Sequence, residues 1–275
     1  GLLTDADEFG IRYAMVYQNV GLWGDAVSSL ESIRKRTDSK ETLEHHFYAT
    51  VLLFDILSAL NSRYISSVAS RLESMIARIK ARYRAAVYYQ VFGEFLRTKD
   101  HLGEAVSALK KARELYAGIG YNDDLARTDL VVATIRIEQG EFDEARDIID
   151  RVGAQIGAME SSNVRGHYLL IELLYRQSVS TSKTDLFRWI SRCEEIMSHV
   201  TEMNLSMKLN ATLFRVLVRV GEVGRGLEYF HRYYSQVKKI VSGLQRDDLV
   251  DDFSNSPEFL GLVDEYRKAT KSGPG

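Results

Sequence analysis

A short phrase recurs along this chain of 275 residues at steps of about 40, and a repeat of that period sets the architecture before any local reading does. The phrase is an amphipathic run, a Gly or polar break, an aromatic residue or leucine, an acid, and then alanine. Its copies are Gly21-Leu22-Trp23-Gly24-Asp25-Ala26, Asp100-His101-Leu102-Gly103-Glu104-Ala105, Gly140-Glu141-Phe142-Asp143-Glu144-Ala145 and the worn Gly221-Glu222-Val223-Gly224-Arg225-Gly226. Two weaker copies put Val68 and Trp189 where alanine belongs. Each step holds two helix-length amphipathic segments, so the unit is a helical hairpin. Gly takes the tight turn. The acid sits in the first turn of the second helix, where the dipole favours negative charge. Ala lets two helix backbones approach closely.

Proline usage points the same way. The chain has two, Pro257 and Pro274, where about 14 would be average for this length. Proline breaks helix interiors, so a chain with none before position 257 is predicted to be all-α. The spacing predicts helices over 5–19, 24–36, 40–60, 64–79, 82–98, 102–117, 122–138, 142–156, 162–178, 184–199, 203–219 and 223–242. Segment 244–254 is acidic and reads as a short helix or linker. Ser256-Pro257 is a helix start, with Ser as N-cap and Pro at the first helical position. The helix over 257–270 should cap the open end of the stack, since a terminal repeat otherwise leaves an apolar face bare. The expected organisation is a superhelical repeat domain over 1–243, a linker and C-terminal capping helix packed on it over 244–270, and a disordered tail over 271–275.

The phrase resembles the tetratricopeptide repeat. Ala133, Gly140, Phe142, Glu144, Ala145 and Ile149 match its pattern in order, as do Ala14, Tyr17, Gly21, Trp23, Ala26 and Leu30, and Gly93, Leu102, Glu104, Ala105, Leu109 and Ala112. The resemblance implies an α-solenoid, a right-handed superhelix of about six hairpins with a concave surface lined by the first helix of each. The chain departs from the family's unit of 34 residues and lacks the proline that often closes the second helix. Longer repeats of this kind are similar to the helical sensor regions of large bacterial signalling ATPases, kinases and transcription activators. That implies a cytoplasmic regulatory role. The opening Gly1-Leu2-Leu3-Thr4-Asp5 reads as an internal cut in a longer protein.

Charge narrows the partners. With 36 basic and 38 acidic residues the net charge is −2, which gives no global pull toward nucleic acid or membrane. No apolar run approaches the roughly 20 residues of a membrane span. Catalytic chemistry has little support. His45, His46, His101, His167, His199 and His231 show no metal-ligand spacing and read as surface or partly packed. Cys193, the single cysteine, reads as a packing residue between helices. Gly118-Ile119-Gly120 reads as a helix end and turn. The Asp247-Asp248 and Asp251-Asp252 pairs lack calcium-loop spacing. No catalytic residue, metal or cofactor is expected.

On the concave surface the candidates are Ile11 and Met15 in the first hairpin, Leu53 and Leu57 in the second, and Gln90, Glu94 and Arg97 in the third. The fourth offers Arg127 and Thr134, the sixth Lys208 and Arg215. The Lys and Asn clamp of peptide-gripping relatives is absent, and the groove is expected to be greasy toward the N-terminus and polar in the middle. Equally, Ile11, Met15, Leu53 and Leu57 could pack against a neighbouring repeat. Arg71, Arg78, Lys80, Arg82 and Arg84 form a basic cluster, read either as a solvated ridge or as a patch for an acidic partner. Adjacent Tyr88-Tyr89 and Tyr233-Tyr234 cannot point the same way, so one member of each is expected at a groove or interface. Leu2, Leu3 and Phe9 would serve a homodimer contact. The expected function is a non-catalytic module that binds a protein or peptide segment in its groove. The alternative is a small-ligand sensor whose superhelix changes pitch.

Overall fold

The structure, a computed structural model, describes residues 2–37, 42–179 and 182–271, with side chains from Asp5 onward. It is all-α, with no strand among the described residues. Six hairpins follow one another: α1 (Leu2–Asn19) with α2 (Trp23–Arg36), α3 (Leu43–Ala59) with α4 (Ile65–Ile76), α5 (Arg82–Thr98) with α6 (Leu102–Ile119), α7 (Asn122–Gln139) with α8 (Phe142–Ile156), α9 (Ser162–Ser178) with α10 (Lys183–Met197), and α11 (Met203–Arg219) with α12 (Val223–Gly243). Two further helices close the chain, α13 (Asp247–Ser254) and α14 (Pro257–Lys271). Of the tail 271–275, only Lys271 is among the described residues.

Five of the hairpin turns share one solution. Gly21, Gly140 and Gly221 have φ of 84°, 76° and 93°, and Asn61 and Asp100 take the same left-handed conformation at 51° and 62°. A backbone bond then spans each turn, from Leu22 N to Tyr17 O at 2.8 Å, His101 N to Leu96 O at 3.0 Å and Glu141 N to Arg136 O at 2.8 Å, with equivalents at Ser62 and Glu222. This satisfies the carbonyls that a helix end leaves bare. Three residues into the second helix stands the repeat's small residue. Ala26, Ala105 and Ala145 are fully buried, and so are Val68 and Gly226 in their hairpins.

Consecutive hairpins are also joined by buried carboxylates. Asp129 of α7 pairs with Arg113 of α6 and, at 3.4 Å, with Arg151 of α8. Glu172 of α9 pairs with Arg146 of α8 at 3.2 Å and with Arg176 of its own helix at 3.2 Å. Each carboxylate is shielded from water and shared between two cations, the geometry in which a buried charge is tolerated.

The stack returns on itself. The odd-numbered helices touch in order from α1 through α11, and α11 then touches α1. Outside this inner ring α12 packs on α2. Lys239 of α12 donates to the Val20 carbonyl at 2.8 Å. Gly24, second residue of α2, lies against the Gly243 carbonyl so closely that a Cβ there would strike it. The sixth hairpin thus has neighbours on both sides, which revises the expected open end. The segment after residue 243 lies across the seam instead. Arg246 reaches Glu31 of α2 at 3.1 Å, and Asp252 of α13 accepts from the backbone N and Nε of Arg63 at 2.9 and 2.8 Å. α14 begins at Pro257, with the Ser256 hydroxyl accepting from Phe259 N at 3.4 Å, and packs on α11, α12 and α13.

Closure through glycine makes a paired prediction. Gly24→Ala should force α2 from α12 and lower stability by about 1–3 kcal/mol, the usual cost of overpacking. Gly103 holds the same helical position in the third hairpin, with nothing within 4 Å of a Cβ there. Gly103→Ala should therefore stabilise by about 0.5–1 kcal/mol. Urea unfolding of the two variants measures both signs.

Candidate functional site

The inner ring encloses two adjoining cavities of about 250 and 210 Å³. Gln90, Glu94, Arg127, His167 and Lys208 line both. The first adds Arg97, Thr134, Thr212 and Arg215 with an apolar wall from α7 and α9. The second adds Met15, Gln18, Asp55, Asp124 and Glu202 with the rings of Tyr48, Tyr83 and Tyr116. The site exists because each first helix turns one polar stripe inward while its second helix covers the opposite face.

Eight of the expected groove residues meet here: Met15, Gln90, Glu94, Arg97, Arg127, Thr134, Lys208 and Arg215. Ile11, Leu53 and Leu57 do not. They are 0%, 1% and 4% exposed and belong to the core. Helix α3 is covered by α1, α2, α4 and α5 together, so positions that would face a groove in an isolated hairpin are enclosed. The greasy N-terminal end of the groove is therefore replaced by core.

The basic cluster is divided as well. Arg84 turns inward, 3.2 Å from Glu8 and 3.9 Å from Glu44, with its guanidinium over the Tyr48 ring. Arg71 borders a hollow with Glu31, Arg34, Lys35 and His46, while Arg78, Lys80 and Arg82 are exposed. Tyr89 and Tyr234 lie under Lys111 and Lys238 rather than in the cavities. Phe9 is 61% exposed and, with Tyr13 and Val16 on α1 and Val20 just after it, forms an outer apolar stripe. The side chains of Leu2 and Leu3 are outside the described residues.

Electrostatics organise the interior around Arg127. It pairs with Glu202 at 3.3 Å, and His167 Nε2 meets the same carboxylate at 3.3 Å. Burial opposes ionisation of Glu202. The His167 hydrogen bond and the nearby positive charge of Arg127 outweigh it and hold Glu202 down at about 2. Burial lowers His167, which stays neutral at neutral pH. Asp55 goes the other way. It is half-buried at the cavity wall, and desolvation, reinforced by Glu94, raises it from 3.8 to about 6. Gln18 Nε2 donates to it at 2.5 Å. Burial also raises Asp124 and keeps Tyr48 and Tyr116 protonated. In the first cavity Arg97 pairs with Glu138 at 2.5 Å and Arg215 with Glu265 of α14 at 2.8 Å. Glu258 places α14 at the same mouth.

These are anchoring groups, donors and acceptors held by opposing helices. The one thiol is elsewhere: Cys193 Sγ lies 3.6 Å from the Leu169 carbonyl, and burial pushes it up to about 12. Among the described residues no three of His, Cys, Asp and Glu group as metal ligands. No helix of the described residues is long and apolar enough to cross a membrane. No protein-family model matches the chain, and no curated protein matches it.

Sequence reading missed Asp55, Asp124, His167, Glu202, Tyr48, Tyr83 and Tyr116. Asp55 did leave a signal, an acid inside the apolar run Val51-Leu52-Leu53-Phe54-Asp55-Ile56-Leu57. Asp124 and Glu202 stand at helix starts, where the dipole already explains an acid.

The raised Asp55 carries a pH-dependent penalty. The folded protein holds this proton more tightly than the unfolded chain, so the penalty is absent below 3.8, grows through the interval and is complete above about 6. Asp55→Asn keeps an acceptor for Gln18 and removes the charge. It should stabilise by about 1–2 kcal/mol at pH 7.5 and leave stability unchanged at pH 3.5, as read by denaturant unfolding at both values.

Proposed function

We propose that this chain is a non-catalytic recognition module, of the tetratricopeptide kind, which takes a short extended segment of a partner protein between its odd-numbered helices. The observation that carries this is the convergence of side chains from α1, α3, α5, α7, α9 and α11 on one pair of polar cavities. An extended peptide can seat one side chain in each of the two adjoining cavities. Main-chain groups of such a peptide would meet the Gln90, Thr212 and Lys208 side chains. Regulation follows naturally, since a ligand bridging opposite sides of a ring stabilises the closed form by mass action. A cytoplasmic signalling protein is the setting that the repeat resemblance favours.

A small polar ligand is the second reading. The enclosure favours it, because the two cavities together fall in the roughly 300–1,000 Å³ range of small-molecule sites. Thermal shift against a metabolite set and against short unstructured peptides separates the two readings.

Blocking the channel tests both. Among the described residues the Thr134 hydroxyl bonds only to the Leu130 carbonyl of its own helix, at 3.0 Å, so Thr134→Trp fills the first cavity without breaking an inter-helix hydrogen bond. Calorimetric titration should show at least a tenfold loss of affinity with circular dichroism unchanged. Equal binding by the variant would move the site out of the channel.

A further inference from the structure

The second cavity is unbalanced in charge. Asp55, Glu94, Asp124 and Glu202 face it, against Arg127 and Lys208. Glu202 is committed to Arg127 at 3.3 Å. Among the described residues Asp55 is bonded only to the neutral amide of Gln18. The side chains of Glu94 and Asp124 make no hydrogen bond or ion pair with a described residue. Four carboxylates thus face two cations: the charge of Arg127 also acts on Asp55, Glu94 and Asp124, and Lys208 bonds to no described residue. The mutual repulsion is visible in Asp55, which Glu94 helps to raise. Folding gains nothing from this excess, since like charges in an enclosed site destabilise it.

A second observation is independent of the carboxylates. Gln90 is 6% exposed and lines both cavities. Its Oε1 accepts from the Tyr116 hydroxyl at 3.0 Å, but its amide nitrogen donates to no described residue and opens onto the cavity. The side chain is buried and fixed through its oxygen, and its free donor borders the cavity, where a ligand's carbonyl oxygen could accept from it. The adjoining walls are the rings of Tyr48 and Tyr83, packed edge to face with centroids 6.4 Å apart, and Arg84 already lies over the Tyr48 ring.

We infer that the second cavity is a cation subsite, which takes the ammonium or guanidinium of a Lys or Arg side chain among Asp55, Glu94 and Asp124 while Gln90 Nε2 donates to a neighbouring carbonyl of the same segment. This rests on the reading of the channel as a peptide site and specifies the peptide's chemistry. The same chemistry is found in a free basic amino acid, which lacks only the flanking peptide groups.

The test titrates the intact protein with acetyl-Ala-Arg-Ala-amide, with the same peptide carrying citrulline, and with free arginine amide. Citrulline keeps the shape of arginine, puts an acceptor oxygen in place of one donor nitrogen and removes the charge. The Arg peptide should bind at least about tenfold more tightly than the citrulline peptide, the scale of one charge-assisted contact. Asp55→Asn and, separately, Asp124→Asn should each erase most of that difference while leaving the citrulline peptide unaffected. Free arginine amide binding as tightly as the tripeptide would keep the subsite and overturn the peptide as its source. Equal binding of the Arg and citrulline peptides, or full binding by both variants, overturns the cation subsite. If those peptides fail but others bind in a manner sensitive to Thr134→Trp, the subsite falls and the channel reading stands. If no peptide binds, both fall.

Discussion

Everything inside this molecule depends on the contact that closes it. Gly24 of α2 lies against the carbonyl of Gly243, at the end of α12, with no room for a side chain between them. That approach lets the sixth hairpin pack on the first. Without it the odd-numbered helices would line an open concave face exposed to bulk water. With it they face one another, and their polar stripes become the walls of two cavities. Desolvation of Asp55, Asp124 and His167 follows from this enclosure. A carboxylate on an open groove would keep its ordinary titration.

A second consequence concerns the charges that do have partners. Glu202, Arg127 and His167 come from three different hairpins, the sixth, fourth and fifth. Their bonds can form only when those hairpins stand at the right distances. A buried ion pair is a weak source of stability, since desolvation takes back much of the attraction. Its larger effect is on geometry, because a misaligned ring would leave Glu202 buried and unmatched. Asp129 and Glu172 act similarly on the outer side, each joining neighbouring hairpins.

Much of the fold is legible in the residues. Helices α5, α8, α9 and α11 follow directly from apolar spacing and turn residues, over 82–98, 142–156, 162–178 and 203–219. Local chemistry marks α8 most fully, with the left-handed Gly140 before it, Asp143 and Glu144 in its first turn and the buried Ala145 at the close crossing. The short helix α4 ends at Ile76, before the expected 79, and α6 runs on to Ile119 before Gly120 stops it. The interior is legible only in part. Met15, Gln90, Glu94, Arg97, Arg127, Thr134, Lys208 and Arg215 can be picked out because first-helix polar positions face inward in any such stack. Ile11, Leu53 and Leu57 mislead, because the same rule cannot say which inward positions a neighbouring hairpin covers.

What the amino-acid order determined by itself is the hairpin, since turn and helix are set within about 40 consecutive residues by backbone conformation and apolar period. Whether six such hairpins leave a groove or a closed interior was decided only in the tertiary structure. Small angles between successive hairpins add up around the ring, and no local signal carries their sum. The same holds for the chemistry of Asp55. Its type and its apolar surroundings are written in α3, but its raised pKa needs Glu94 from α5 and the roof supplied by the opposite side of the ring. Pairings between residues tens to hundreds of positions apart set that environment, and they exist only once the chain has closed.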